Sequence, residues 1–338
     1  MSDSISTAEY SAVRDGGAGL IDLSSRGRIL VSGAEAVMFL NGLITNDMKS
    51  LAANAWMPAA FANVQGRLLA AVRIIHCQDG FLIDTESKTR DAVIKLVERF
   101  TLAGDFKVTD LSTEMALLSV QGAKAAAVVR SVLGEEAANV QHQCVTTAQF
   151  EGTALTVIRD THTAEDGFDL FVEASAGAKL RDALTNAGAT SVGEDTLETL
   201  RIEAGIALYG VDMDENNVVT ETNLDDAVSF TKGCYIGQEI IVRIKHRGHV
   251  AKKLAGVVLD EATPALQNAR VISSDDKEIG RVTSSTFSPR LNRAIALGYV
   301  KYDYLAPGTR IKVSSDVGSV DGEVSALPLV KGSWYEAP

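Results

Sequence analysis

The stretch TKGCYIGQEIIVRIKHRGH, Thr231 to His249, gathers several reactive groups. Cys234 follows Lys232 by two residues and lies between Gly233 and Gly237. A neighbouring ammonium favours the thiolate and lowers a thiol pKa from about 8.5 toward 3.5–7.5. Cys234 is therefore a candidate reactive thiol. The plainer reading is a small residue filling a crowded glycine turn. A basic run follows, with Arg243, Lys245, Arg247, Lys252 and Lys253, in a chain of formal net charge −12. Charge runs usually form a solvated face. This one adjoins the Gly-Cys-Gly turn, so an anionic ligand is a fair expectation and tips the balance toward a site.

Other chemistries fit less well. His76 precedes Cys77, and His246 and His249 are three apart, but neither pair has further ligands nearby and there is no CxxC, so no metal site is expected. An iron–sulfur cluster normally takes four thiolates, and Cys77, Cys144 and Cys234 are dispersed. The same odd, scattered cysteines argue against a disulfide framework and for a reducing cytoplasm. DGGAG, Asp15 to Gly19, lacks the glycine order of a dinucleotide loop and follows no strand. The acidic balance disfavours general nucleic-acid binding. No apolar run approaches the roughly 18 residues of a membrane span. The N-terminus, MSDSISTAEYSAVRD, has no basic or apolar leader region and reads as a short polar tail.

The elements that must position these groups follow from periodicity. RILVS, Arg28 to Ser32, reads as a strand, and Ala34 to Leu43 as a helix with Val37, Leu40 and Leu43 at helical spacing. MPAAFAN and RLLAAVRIIHC flank VQG, a hairpin with Gly66 free to take positive φ. Arg90 to Phe100 returns to helical period. MALLSV, a helix ending at Gly134, ALTVIRD, GFDLFVE and a helix stopped by Gly188 give strand-helix-strand-strand-helix, the order of a ferredoxin-like unit. Leu197 to Leu208 is a further helix. After about Val250, short strand-like runs alternate with turn residues, as in a small barrel or sandwich.

KGCYIGQE, Lys232 to Glu239, resembles the signature of the YgfZ family of folate-binding proteins, which take part in iron–sulfur protein assembly or repair. The likeness extends to Gly19–Asp47, ANVQGRLL (Ala62 to Leu69) and Leu200–Leu224, in the right order. These segments are shared with a wider superfamily that includes the aminomethyltransferase, or T-protein, of the glycine cleavage system. The resemblance implies an α+β fold: a three-domain ring of two ferredoxin-like α+β domains and a C-terminal β-barrel around a central folate channel. The division it implies is 10–49 with 113–245 as a discontinuous first domain, 50–112 as the second and 246–330 as the barrel.

The resemblance also carries functional expectations. The T-protein's aspartate pair falls on Ala70 and Ala71, so that family's reaction is expected to be lost. A glutamate that grips the pterin ring falls on Asp169, and an arginine of the enzymatic relatives falls on Leu197. Lys232 and the basic run, Arg243 and Arg247, are expected to reach the folate's glutamate tail. Arg201 and Glu203 match a superfamily motif and read as a structural helix-to-loop salt bridge rather than as ligand contacts, while Tyr235, Gln238 and Glu239 hold the loop. The implied function is a cytoplasmic tetrahydrofolate-binding protein that assists assembly or repair of iron–sulfur proteins. It would bind tetrahydrofolate or a one-carbon derivative, carry Cys234 as its single reactive thiol, and meet iron–sulfur assembly or client proteins. What the thiol reacts with stays open. The alternatives are a folate-dependent aminomethyltransferase or demethylase of the T-protein type, and a passive module binding RNA or a client protein.

Overall fold

The structure is a computed structural model that describes residues 6–99, 101–102, 104–316 and 318–335. Phe100, expected at the end of the helix Arg90–Glu98, lies outside the described residues. Two sheets and a closed barrel carry the chain.

The first sheet orders its strands as Thr190–Ser191, Gly19–Asp22, Met115–Gln121, Gly167–Glu173, Thr153–Arg159 and Val145–Phe150. The second orders Trp56–Ala62, Leu68–Cys77, Gly80–Thr85, Gly27–Ser32 and Lys107–Asp110. Gly27–Ser32, placed with the first domain by the expected division, pairs instead with Gly80–Thr85 and Lys107–Asp110.

Strand alternation explains how the sheets stack. In Gly167–Glu173, Phe168, Leu170 and Val172 pack under the helices Ala125–Leu133 and Ala174–Asn186. Asp169 and Phe171 point the other way. In Leu68–Cys77, Leu68 apart, the even-numbered Ala70, Val72 and Ile74 join the core under the helices Ala36–Leu43 and Arg90–Glu98. The odd-numbered Ala71, Arg73 and Ile75 share the opposite face. Trp56, Ile75 and Leu82 meet Leu117, Ile158 and Phe171 between the sheets. Helices thus cover the outer faces, and the inner faces look at one another.

Several elements differ from the sequence reading. Thr7–Arg14 is a helix rather than a polar tail. Ser6 caps it by accepting from the Glu9 N–H, and Tyr10, Val13 and Arg14 are buried beside Ile21, Val192 and Leu200. Val145–Phe150 is a strand, joined to Thr153–Arg159 through Glu151 and Gly152, both at positive φ. Gln238–Arg247 makes the start of the basic run helical. The helix expected from Leu197 starts at Glu194 and stops at Gly205, whose φ of +74° gives a left-handed cap.

The barrel closes in the order Lys252–Leu259, Arg293–Lys301, Glu278–Ser288, Arg270–Ser273, Arg310–Ser315 and Gly318–Ser325. Closure leaves no sheet edge unpaired. Among the described residues, no helix is long and apolar enough to cross a membrane.

Candidate functional site

A cavity of about 860 Å³ opens where the inner sheet faces and the barrel meet. Ala71 and Arg73 bring the strand Leu68–Cys77 to its wall, and the loop after Thr153–Arg159 contributes Asp160 and His162. Leu254 and Ala255 belong to the barrel side. The chain has two tryptophans, Trp56 and Trp334, and both line the cavity. His142 stands between them, its ring centroid 5.9 Å from Trp56 and 5.0 Å from Trp334, both edge-on. This aromatic wall suits a flat conjugated ring.

The opposite chemistry is concentrated at Arg73. Its guanidinium pairs with Asp84 of its own sheet at 2.8 Å, and with Asp160 at 2.8 Å and Asp169 at 2.5 Å from the other sheet. Arg26 adds a second cation to Asp84, at 2.7 Å. Burial works to raise the Asp84 and Asp169 carboxyls, but their cationic partners outweigh it and hold both below the usual carboxylate range. His162 Nε2 meets both Asp169 oxygens, at 3.1 and 2.9 Å. Glu86 and Asp226 also line the cavity, and burial pushes both carboxyls up.

The expected site residues occupy three different places. Asp169 is fully buried and stands behind the wall, reaching the cavity only through Arg73 and His162. Lys232 is buried beside the helix Ala36–Leu43, where Nζ donates to the carbonyls of Asn41 (2.7 Å), Ile44 (2.9 Å) and Asn46 (2.5 Å). Burial pushes its ammonium down to about 8, against the pull of Asp47. Cys234 and Arg243 are exposed and are not among the cavity-lining residues. Arg247 ends the helix Gln238–Arg247, and its side chain lies outside the described residues.

The glycine turn around Cys234 has a packing reason. Gly237 has φ of +87°, and a Cβ there would stand 2.6 Å from the Asn63 carbonyl oxygen. The loop therefore lies directly on the tip of the hairpin Asn63–Gly66. Lys232 ties the same loop to the end of a helix. Lys232→Met is expected to lower stability by roughly 2–4 kcal/mol, because buried acceptors left unsatisfied cost about 1–3 kcal/mol each. Urea unfolding measures the loss, and tetrahydrofolate affinity is expected to stay unchanged.

Arg73, Asp160, His162, Trp56 and Trp334 are cavity residues that the sequence reading did not single out. A signal existed for two of the buried charges. Arg73 interrupts the apolar strand LLAAVRIIHC, and Asp169 interrupts GFDLFVE. Opposite charges inside two apolar strands imply a buried pair, since an unpaired buried charge is prohibitively costly.

Comparison with known proteins then decides the family. The GCVT N-terminal domain matches residues 2–232, and the glycine cleavage T-protein C-terminal barrel domain matches residues 252–331. The chain belongs to the glycine cleavage T-protein family. It is similar to an aminomethyltransferase of Herpetosiphon aurantiacus, 29% identical over 328 residues that cover 97% of this chain and 90% of the relative. An aminomethyltransferase of Rubrobacter xylanophilus is 33% identical over 295 residues, covering 87% of this chain and 78% of the relative. The crystal structure of glycine cleavage system aminomethyltransferase T from Bartonella henselae shares the fold, with a TM-score of 0.86 at 23% identity, over 96% of this chain and 89% of that one.

These findings correct the expected function. Relatives matching nearly the whole chain are named aminomethyltransferase, which overturns the reading as an iron–sulfur assembly or repair factor. The likeness holds at the level of the T-protein superfamily and not of the YgfZ branch.

Proposed function

We propose that this chain binds a reduced folate in the central cavity and acts as a folate-dependent aminomethyltransferase or demethylase. The observation that carries this reading is the cavity, walled by the Arg73–Asp160–His162 cluster and by both tryptophans, in a chain whose full-length relatives are named aminomethyltransferase. Its volume lies in the range of small-molecule and cofactor sites, about 300–1,000 Å³. The aromatic wall offers ring stacking, and the charged wall offers paired donors and acceptors to a heterocycle edge.

In the reaction the relatives' name describes, an aminomethyl thioether, R–S–CH2–NH3+, reacts with two N–H groups of tetrahydrofolate. Two C–N bonds form at the methylene carbon, while its C–S bond and its bond to ammonia break. Of the two folate N–H protons, one ends on sulfur and one on the departing ammonia, giving a thiol and ammonium. Ala70 faces the helix-covered core and Ala71 the cavity, so the strand where the resemblance places the family's aspartates supplies no carboxylate for these transfers.

The test is a titration of the intact protein with tetrahydrofolate, followed by tryptophan fluorescence. Because both tryptophans line the cavity, the expected result is a saturable, near-complete change in emission, with Trp56→Phe and Trp334→Phe each removing part of it. Formation of methylenetetrahydrofolate and ammonium from an aminomethyl-loaded lipoyl carrier is expected alongside. No saturable binding and no turnover would refute the reading.

A further inference from the structure

We propose that His162, oriented by the buried carboxylate of Asp169, is the proton-transferring group of this cavity. The inference rests on the one-carbon transfer reading. It starts from what the strand Leu68–Cys77 lacks: Ala71 faces the cavity and carries no ionisable group, and the next side chain on that face is Arg73, already engaged by acids.

The dyad follows from hydrogen-bond roles. Asp169 is fully buried, and Arg73 together with His162 holds it ionised against the burial penalty. An ionised carboxylate only accepts, so the His162 nitrogen facing it, Nε2, carries the proton. In the neutral imidazole, the form a general base needs, the other nitrogen, Nδ1, presents a lone pair. Nδ1 has no hydrogen-bond partner and is not buried among the described residues, and His162 lines the cavity. The His162 backbone is fixed as well, its N–H donating to Gln121 Oε1 at 2.9 Å. A buried acid fixing one imidazole nitrogen while the other faces the reactants is the arrangement that sets tautomer and aim in a general base.

The acids at the cavity are less suited. Asp160 is paired with Arg73 at 2.8 Å and accepts the Thr161 N–H, and Glu86 accepts the Tyr209 N–H. Asp225 is paired with Lys253 at 2.7 Å, so Asp226 is the remaining acid at the wall. In the step itself, Nδ1 accepts a proton from a tetrahydrofolate nitrogen as its bond to the methylene carbon forms. The imidazolium then returns that proton to the departing thiolate, so the histidine ends as it began. Asp169 stays ionised throughout and acts as a positioning residue.

The experiment compares wild type, His162→Ala, Asp226→Asn and Asp169→Asn, with circular dichroism as the folding check. For His162→Ala, tetrahydrofolate affinity by tryptophan fluorescence is expected to weaken by several-fold at most, since one polar group of the wall is lost. Its kcat is expected to fall by about 10²-fold or more, the usual size of a lost general base, far more than KM changes. Added imidazole is expected to restore part of the rate in His162→Ala only. Nitrogen NMR of labelled histidine, assigned by the signal missing in His162→Ala, is expected to show the Nε2–H tautomer and a change at Nδ1 when tetrahydrofolate binds. Unchanged kcat in His162→Ala, or a full loss in Asp226→Asn without one in His162→Ala, overturns the inference while leaving the one-carbon reading intact. An Nδ1–H tautomer overturns it without any activity measurement, which keeps the inference testable if Asp169→Asn does not fold. A folded wild type that neither binds tetrahydrofolate nor turns over refutes the reading and the inference with it.

Discussion

Arg73→Met is expected to destabilise the protein by about 3–5 kcal/mol, the usual cost of removing one partner from a buried ion pair. The side chain sits between Asp84, Asp160 and Asp169, and two of those acids are fully buried. Methionine fills much of the volume, so the loss is chiefly electrostatic. Asp84 keeps the cation Arg26, whereas Asp169 keeps His162 and the Ser119 hydroxyl.

The pH dependence gives the result its signature. Asp84 and Asp169 have depressed carboxyl values in the folded wild type, so their stabilisation is present above the unfolded value of about 4 and fades as pH falls through the folded values. In the variant, the orphaned carboxyls move upward and protonate earlier. The stability gap between wild type and Arg73→Met is therefore expected to be widest near neutrality and to narrow toward acid. Urea unfolding at neutral and acid pH measures it. A gap that stays constant across that range would mean the loss comes from packing instead.

Glu203→Leu is the second large effect. Glu203 is fully buried in the helix Glu194–Ala204 and accepts from Tyr10 Oη (2.8 Å), Arg14 Nε (2.9 Å) and Ser288 Oγ (2.5 Å). It therefore joins the N-terminal helix Thr7–Arg14 to the barrel strand Glu278–Ser288 through one carboxylate. Leucine removes three acceptor contacts and leaves Arg14 with Glu165 as its remaining carboxylate. A loss of about 3 kcal/mol is expected, from a buried Arg14 left with one carboxylate in place of two and from two stranded hydroxyls. Glu203→Gln, which keeps an acceptor but not the charge, is expected to fall between. A double-mutant cycle with Arg14→Leu measures how much of the loss is the pair itself, and a coupling near zero would reject this account.

Much of the fold was legible because its signals are local. The barrel strands announced themselves through short apolar runs between turn residues, and the hairpin at Gly66 through its glycine. The strand Val145–Phe150 was missed because VTTAQF at a sheet edge is half polar and carries no apolar run. The helix Thr7–Arg14 was missed because its polar composition hides Tyr10 and Val13, the residues that dock it. The site was harder to read because it is made by juxtaposition. Arg73 and Asp169 lie 96 positions apart and become partners only when two inner sheet faces stack. Sequence drew attention instead to Lys232 and Cys234, which lie away from that cavity on a loop tied to a helix end and pressed onto a hairpin. Arg201 also proved structural in its contacts, paired with Glu198 and with Asp212, which in turn accepts from the barrel's Thr283 and Ser284.

The Arg73 contacts have a mechanical consequence. One guanidinium clamps an acid of its own sheet to two acids of the facing sheet, so the sheets cannot separate without stranding charge in a poorly solvated gap. That seam is a weld rather than a hinge. The segment carrying Trp334 is fastened differently, to the first sheet's loop alone, by Ser333 on Glu165 and by the Trp334 N–H on the Ala164 carbonyl. The charged wall of the cavity is thus pinned across both sheets at once, while Trp334 answers to only one of them.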